Sequence, residues 1–392
     1  SIIGDKAKAT RPEIEQILIS NDQLKDEQEF DNKLYLIRKR IEKEIRKQNI
    51  SDFYICSLSC KSIVYKGMFL AEQLSNFYPD IQKENFISKY AIYHQRYSTN
   101  TFPTWSLAQP FRVIAHNGEI NTLKGNKNWM NAHEPRMKHK NFENNIDDLK
   151  PVIDQAASDS AALDTTIELL VKTNRSLPMA KIITIPEAWS HRRDFPKKLK
   201  DLYAYGGAVM EPWDGPAAIC GAYGDWAIAG MDRNGLRPLR YTLTKNLLIA
   251  GSETGMVNIN ENEVLEKGRV GPGQLIAINF KEKKFYKDKE IQYYKDNIHN
   301  IILAFCIGSV GPKVLRFCIL ITFSLLYRVF DVFIEIVLLS PILLGVLAKI
   351  IFALALALGG MVFVVCVPTV VMLARPVRTL YLFADFPRAC VV

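Results

Sequence analysis

Two short apolar runs in the middle of the chain constrain its fold more than any other feature. Residues 90–93 and 111–115 each have the length of a buried strand, and each ends in polar residues. The second run passes into His116-Asn117-Gly118-Glu119, and an Asn-Gly pair is typical of a tight turn with positive φ. The sequence therefore predicts a side-chain amide and a glycine N–H together at a strand end, which is what an oxyanion hole requires. An ordinary hairpin turn explains the same pair.

The rest of the hydrophobic pattern predicts a layered α+β domain and not strict β-α-β alternation. Helices are predicted over residues 29–47, 69–77 and 197–210, and after Asp159, whose plain role is helix N-cap. A polar loop is predicted over residues 124–150. Strands are predicted in pairs or singly at residues 53–58 with 62–66, 217–222 with 226–231, 239–244 with 247–250, 182–185 and 274–280.

Charge and cysteine content exclude several classes of function. Before residue 300 there are 43 basic and 38 acidic residues, a near-balanced surface that does not predict nucleic-acid binding. The seven cysteines include no C-x-x-C pair, so no metal site is predicted, and the odd count suits a reducing compartment.

Residues 300–392 differ in character from the rest. The 24 residues from Ile350 to Leu373 carry no charge and are long enough to span a bilayer, and shorter apolar runs lie at residues 317–327 and 340–348. Two interpretations follow: a tail with transmembrane helices, or a gene-model artefact, frameshift or fusion. The artefact is the favoured interpretation.

Longer motifs point to a family. The central stretch is HQRYSTNTFPTWSLAQPFR followed by AHNGEINTLKGNKNW, and downstream come SDS from Ser158, IPEAW from Ile185, MEPWDGP from Met210, DRNGLRP from Asp232 and Ser252-Glu253. Over about residues 1–295 the chain resembles the glutaminase domain of glutamate synthase, a class II glutamine amidotransferase with an N-terminal nucleophile. The predicted domains are therefore residues 1–296, an incomplete amidotransferase domain, and residues 300–392, an unrelated tail.

The resemblance implies a fold and a set of residue roles. The fold would be a four-layer αββα sandwich of the N-terminal-nucleophile hydrolase type, incomplete here. Arg96 would pair with the α-carboxylate of L-glutamine, a geometry that suits a planar guanidinium. Asn117 through its side chain and Gly118 through its N–H would form the oxyanion hole, and Asp159 would accept the α-ammonium.

The family's nucleophile is a first-residue cysteine in a Cys-Gly-(Val/Ile)-Gly type of start, with its own α-amino group as base. Ser1-Ile2-Ile3-Gly4 does not match that start, and we interpret the seven cysteines as small buried hydrophobes. No nucleophile is assigned, and we expect the chain to form part of a glutamine pocket without cleaving the amide.

The resemblance also implies what the complete enzyme would contain. FMN and an iron–sulfur cluster belong to its other domains, and this fragment is expected to bind neither. Its partners would be the remaining synthase domains and ferredoxin or an NAD(P)H-linked subunit, in the plastid stroma or cytoplasm. The alternatives are another class II amidotransferase, against which residues 101–112 and 121–129 argue, and a non-catalytic glutamine-pocket protein tethered to a membrane by residues 350–373.

Overall fold

The computed structural model describes residues 2–24, 26–95, 102–190, 192–292 and residue 294. The hydrophobic tail predicted for residues 300–392 lies outside them. The described part contains the helices α1 (Asp5–Ala9), α2 (Glu27–Lys47), α3 (Leu74–Phe77), α4 (Leu123–His133), α5 (Asp159–Lys172), α6 (Leu177–Thr184), α7 (Lys197–Val209) and α8 (Asp288–Gln292). Short 3-10 turns lie at Ala71–Gln73, Pro79–Gln82, Glu134–Arg136, Lys140–Phe142, Ile146–Leu149 and Glu261–Glu263.

Two antiparallel sheets are formed by the strands β1 (Ile114–Gly118), β2 (Ala217–Tyr223), β3 (Trp226–Met231), β4 (Arg240–Thr244), β5 (Leu248–Gly251), β6 (Val264–Arg269), β7 (Leu275–Asn279) and β8 (Lys284–Lys287). The first sheet has the order β1-β2-β3-β7-β8 and the second the order β5-β4-β6. In the first sheet Ile114 of β1 lies opposite Gly221 of β2, and Gly118 lies opposite Ala217. Strand β1 is therefore at an edge of the described sheet.

The two sheets pack against each other through one apolar cluster. Its buried members are Ala218, Ala229, Met231, Leu239, Tyr241, Val270 and Ile276. Gly230 lies between two of these residues and so points to the opposite face, where a Cβ on it would lie 3.0 Å from Cε of Lys181 in α6. The described residues thus form a helical layer, the five-stranded sheet and the three-stranded sheet. This mixed arrangement confirms the α+β class.

The longest predicted helices form where their caps and charge patterns favour them. Asp26 accepts the Glu29 N–H (2.6 Å) at the start of α2, and Arg46 and Lys47 lie in its last turn. Helix α7 confirms the prediction for residues 197–210 although Gly206 and Gly207 lie inside it. The hairpins β2–β3 and β4–β5 also lie where they were predicted.

Several predictions of strands are wrong. Residues 53–58, 62–66 and 90–93 form no strand. The Val64 N–H is bonded to the side chain of Ser57 (3.1 Å), so a side chain takes the place of a partner strand. Residues 182–184 are the last residues of α6, and Ile185 is its C-cap. The helix forms here because Ser176 caps its start and Pro178 lies in its first turn. All residues of α6 are buried, and such a helix has the same continuous apolar run as a buried strand.

Three further predictions need correction around the central motifs. The predicted loop over residues 124–150 contains α4. The N-cap of α5 is Ser158, which accepts the Ala161 N–H (3.2 Å), whereas Asp159 is the first residue of the helix. Strand β1 spans residues 114–118 instead of 111–115, and Asn117-Gly118 is its end and not a hairpin turn, since β1 pairs with β2.

Candidate active site

Strand β1 is held in place by side chains along its outer edge. The buried carboxylate of Asp164 in α5 accepts the N–H groups of Arg112 (3.1 Å), Val113 (2.9 Å) and Ile114 (2.9 Å). Burial, aided by Glu168, raises the pKa of Asp164, and these backbone donors oppose that rise. Asp164 therefore accepts the backbone N–H groups of this segment, which elsewhere in a sheet would be bonded to a neighbouring strand.

The side chain of Gln109 continues this edge. Its Oε1 accepts the His116 N–H (2.8 Å), and its Nε2 donates to the His116 carbonyl (3.2 Å). The main-chain groups of Ile114 and His116 thus point away from β2, as alternate residues of an antiparallel edge strand do. By the same alternation the N–H of Gly118 faces outward at the strand end. An outward N–H at that position is the geometry that an oxyanion donor needs.

Two facing glycines set the path of the chain after β1. Gly118 (φ +137°) and Gly215 (φ +155°) lie across from each other. A Cβ on Gly118 would lie 1.8 Å from the Pro216 carbonyl oxygen, and one on Gly215 would lie 2.0 Å from the Glu119 carbonyl oxygen. Hydrogen bonds from Glu119 N to Pro216 O (3.1 Å) and from Asn121 N to Asp214 O (2.8 Å) complete the contact. Only glycine combines this close approach with these backbone angles.

We expect Gly215→Ala to lower the free energy of unfolding by at least about 1–3 kcal/mol, the usual cost of a strained backbone position, because the added Cβ also overlaps the Glu119 carbonyl oxygen. Gly207→Ala is the matched control, because a Cβ there would meet nothing within 4 Å. Since Gly207 lies inside a helix, the control should gain about 0.5–1 kcal/mol. Urea denaturation of both variants measures the difference. Equal stability of the two variants would show that the glycine pair does not constrain the fold.

Asp159 lies at the start of α5, beside the end of β1. Its Oδ2 accepts the Ile120 N–H (3.0 Å), and its Oδ1 accepts the Ser160 N–H (2.7 Å) and the Ser160 hydroxyl (3.1 Å). The residue is only partly buried. The positive end of the α5 dipole favours a negative charge at this position.

His116 is buried beneath this site. Its Nε2 lies 2.5 Å from the Ser160 hydroxyl, and its Nδ1 has no hydrogen-bond partner among the residues described. Burial lowers the pKa of His116 to about 4; Asp159 opposes this effect, and His94 and Arg237 add to it. The imidazole is therefore neutral near pH 7.

The structure brings three of the four predicted site residues together. Asn117 is exposed at the end of β1, Gly118 follows it, and Asp159 is bonded to Ile120 two residues further on. Arg96 lies outside the described residues. Sequence reasoning missed His116, Ser160, Gln109 and Asp164. The first three stood inside the quoted motifs, and Asp164 was visible as a carboxylate beside the apolar positions of α5.

The described part of the chain shows no metal site, and two of its thiols have raised pKa values. No group of three or more His, Cys, Asp or Glu side chains there is arranged to hold a metal ion. Burial raises the pKa of Cys220 to about 11, and burial together with Asp31 and Glu27 raises that of Cys60. A raised pKa keeps a thiol protonated and weakly nucleophilic at neutral pH. Among the described helices none is both long and apolar enough to cross a bilayer.

Comparison with known families decides the relationship. The family model described as "Glutamine amidotransferases class-II" matches residues 1–300. The chain belongs to this family. The class-II amidotransferases are enzymes, and the match includes every residue of the site described above.

Individual relatives of this amidotransferase are glutamate synthases. The "Glutamate synthase [NADPH] large chain" of Azospirillum brasilense is 58% identical over 292 residues, covering 74% of this chain and 19% of the relative. The "Ferredoxin-dependent glutamate synthase" of Pyropia yezoensis is 44% identical, with 74% and 19% covered. The "Glutamate synthase [NADH]" of Schizosaccharomyces pombe is 42% identical, with 75% and 14% covered. The chain thus spans about a fifth or less of the length of these relatives.

Among solved structures, the glutamine phosphoribosylpyrophosphate amidotransferase of B. subtilis with ADP and GMP is similar. It is 20% identical, with 50% of this chain and 34% of that chain covered, at a TM-score of 0.28. A score this low carries no argument about the fold.

Proposed function

We propose that this amidotransferase domain is the glutaminase part of a glutamate synthase. It would bind L-glutamine at the end of β1 and supply ammonia from the side-chain amide to 2-oxoglutarate. In this proposal the Asn117 side chain and the Gly118 N–H stabilise the oxyanion, and Asp159 accepts the α-ammonium. Arg96 takes the α-carboxylate, as the resemblance implies.

One observation carries the proposal: Ile120, two residues beyond Gly118 at the end of β1, donates its N–H to Asp159 (3.0 Å). The alternation of an antiparallel edge strand places the Gly118 N–H outward beside that contact. A donor for a developing negative charge and an acceptor for a positive one thereby lie on adjoining elements. Amino-acid recognition together with amide hydrolysis requires that combination. The identity of 58% with a glutamate synthase large chain supports the choice among class-II amidotransferases.

The proposal extends to the rest of the enzyme. We assign the described helical layer and two sheets to a four-layer αββα sandwich of the N-terminal-nucleophile type. FMN and the iron–sulfur cluster would belong to other synthase domains, and ferredoxin or an NAD(P)H-linked subunit would supply electrons. The names of the relatives include both kinds of donor. The site of action would be the plastid stroma or the cytoplasm.

Calorimetric titration of the 392-residue chain with L-glutamine tests the assignment without requiring turnover. We expect saturable binding that Asp159→Asn weakens by about tenfold or more, because a hydrogen bond to a charged group contributes roughly 1.5–3 kcal/mol. Asp225→Asn is the matched control, since Asp225 lies in the β2–β3 turn. Absence of glutamine binding, or equal effects of the two substitutions, would refute the proposed function.

A further inference from the structure

The hydrogen bonds beneath Asp159 have a definite direction. A carboxylate can only accept hydrogen bonds, so the Ser160 hydroxyl donates its proton to Asp159 Oδ1 (3.1 Å). That hydroxyl then has lone pairs left to accept with, and His116 Nε2, 2.5 Å away, must be its donor. The result is a chain from His116 through Ser160 to Asp159.

The protonation state of His116 is consistent with a hydrogen bond donated from its Nε2. A neutral imidazole carries a single N–H, so donation from Nε2 leaves only a lone pair on Nδ1. His116 Nδ1 has no hydrogen-bond partner in the described part of the chain. Burial at 4% exposure keeps solvent from rearranging the pair, and the lowered pKa, about 4, keeps the ring from gaining a second proton.

Other contacts also hold this part of the fold together. The main chain of His116 is already bonded to Gln109, and the start of α5 is already capped by Ser158. Strand β1 is tied to α5 by Asp164 as well. Within the described residues, the hydrogen bonds of the His116 ring and the Ser160 hydroxyl lead to the Asp159 carboxylate.

We propose that His116 and Ser160 are positioning residues that fix the Asp159 carboxylate for recognition of the α-ammonium of an amino-acid substrate. This inference rests on the proposed function and adds two residues to it. The chain of hydrogen bonds holds Oδ1 on one side while the Ile120 N–H holds Oδ2 on the other, so the carboxylate cannot rotate. An acceptor fixed in advance loses little entropy when the ligand binds.

A pair of ligands separates positioning from general stability. L-glutamine carries the α-ammonium, whereas glutaramic acid is the same molecule without the α-amino group. Titrated into the 392-residue chain, Ser160→Ala should weaken L-glutamine binding about tenfold and change glutaramic acid binding less than about twofold. Ser160→Thr keeps a hydroxyl and should restore most of the glutamine affinity.

Thr165→Ala provides the matched control, because it removes a hydroxyl of α5 whose hydrogen bond among the described residues is to the Ala161 carbonyl of its own helix (2.9 Å). It should leave both ligands unaffected. Equal loss for the two ligands in Ser160→Ala would mean that the hydroxyl is merely structural, and no loss would mean that it has no role. Either result overturns this inference while glutamine binding by the unsubstituted chain still stands. Failure of the unsubstituted chain to bind glutamine would instead defeat the proposed function.

Discussion

Asn117→Ala is expected to lower the turnover of glutamine by about 10²–10³-fold, because the loss of one oxyanion donor has that effect in other amide-cleaving enzymes. Asn117 is the exposed last-but-one residue of β1, next to the outward N–H of Gly118. Removing its amide would leave that N–H as the only described donor of the pair. Because the charge develops in the transition state, the rate should fall far more than the affinity for glutamine.

The measurement uses a polypeptide in which the family's N-terminal cysteine segment precedes these residues, and it follows glutamate release. Asn128→Ala is the matched control, since Asn128 is an exposed amide on α4. It should retain the full rate. A rate for Asn117→Ala within a factor of about three of the unsubstituted protein would remove this side chain from the mechanism.

Elements with local partners could be predicted from the sequence. The hairpins β2–β3 and β4–β5 depend on turns and alternation within a few residues, and their positions were confirmed. Helix α2 was predicted from its apolar spacing, and both α2 and α7 lie within a few residues of the predicted bounds. These elements could be predicted because their conformation follows from the hydrophobic spacing and turn residues within the element itself.

Elements defined by distant contacts could not be predicted. Strand β1 begins at Ile114, where Asp164, fifty residues further on, accepts the N–H groups of residues 112–114. Residues 90–93 have the composition of a strand, yet they form no ladder, and the Tyr90 ring stacks on Phe280 instead. Helix α6 is buried on every side, so its pattern has no periodicity that distinguishes helix from strand.

The site residues also divide into those that local motifs indicate and those that depend on distant contacts. Asn117, Gly118 and Asp159 came from motifs that lie contiguous in the sequence. The chain from His116 to Ser160 exists only because α5 lies against β1, and no spacing rule joins residues 44 positions apart. The two hydrogen bonds between the Gln109 side chain and the main chain of His116 likewise follow from no pattern in the sequence.

A second large effect is expected at the buried ion pair between Asp31 of α2 and Lys172 of α5. The side chains are 0% and 2% exposed, and Asp31 also accepts from Ser59 (2.6 Å) and Tyr223 (2.7 Å). We expect Lys172→Met to lower the free energy of unfolding by about 3–5 kcal/mol, because it leaves a buried carboxylate without its counter-charge. Urea denaturation followed by tryptophan fluorescence measures the loss.

The pH dependence of that loss identifies its cause. Burial tends to raise the pKa of Asp31, but the charge and hydrogen bonds of Lys172 hold it below the ordinary value. In the unsubstituted protein, Asp31 therefore contributes stability above its unfolded pKa and loses it as the pH falls through the lower folded pKa. Without Lys172 the effect of burial is opposed only by the hydrogen bonds from Ser59 and Tyr223, so the pKa of Asp31 rises and the carboxyl is protonated at a higher pH than in the unsubstituted protein. The deficit of Lys172→Met should accordingly be largest near pH 7 and shrink towards pH 4.

Two comparisons make this explanation of the deficit testable. Lys267→Met removes an exposed pair with Glu261 and should cost less than about 1 kcal/mol. The double variant Asp31→Asn/Lys172→Met has no uncompensated charge and should recover much of the stability lost in Lys172→Met. A deficit that is the same at pH 4 and pH 7, and that persists in the double variant, would point to lost packing of the lysine stem. In that case Lys172 would stabilise the contact between α2 and α5 through the packing of its methylene groups. The charge of Asp31 would then contribute little, and its role would be to accept hydrogen bonds from Ser59 and Tyr223.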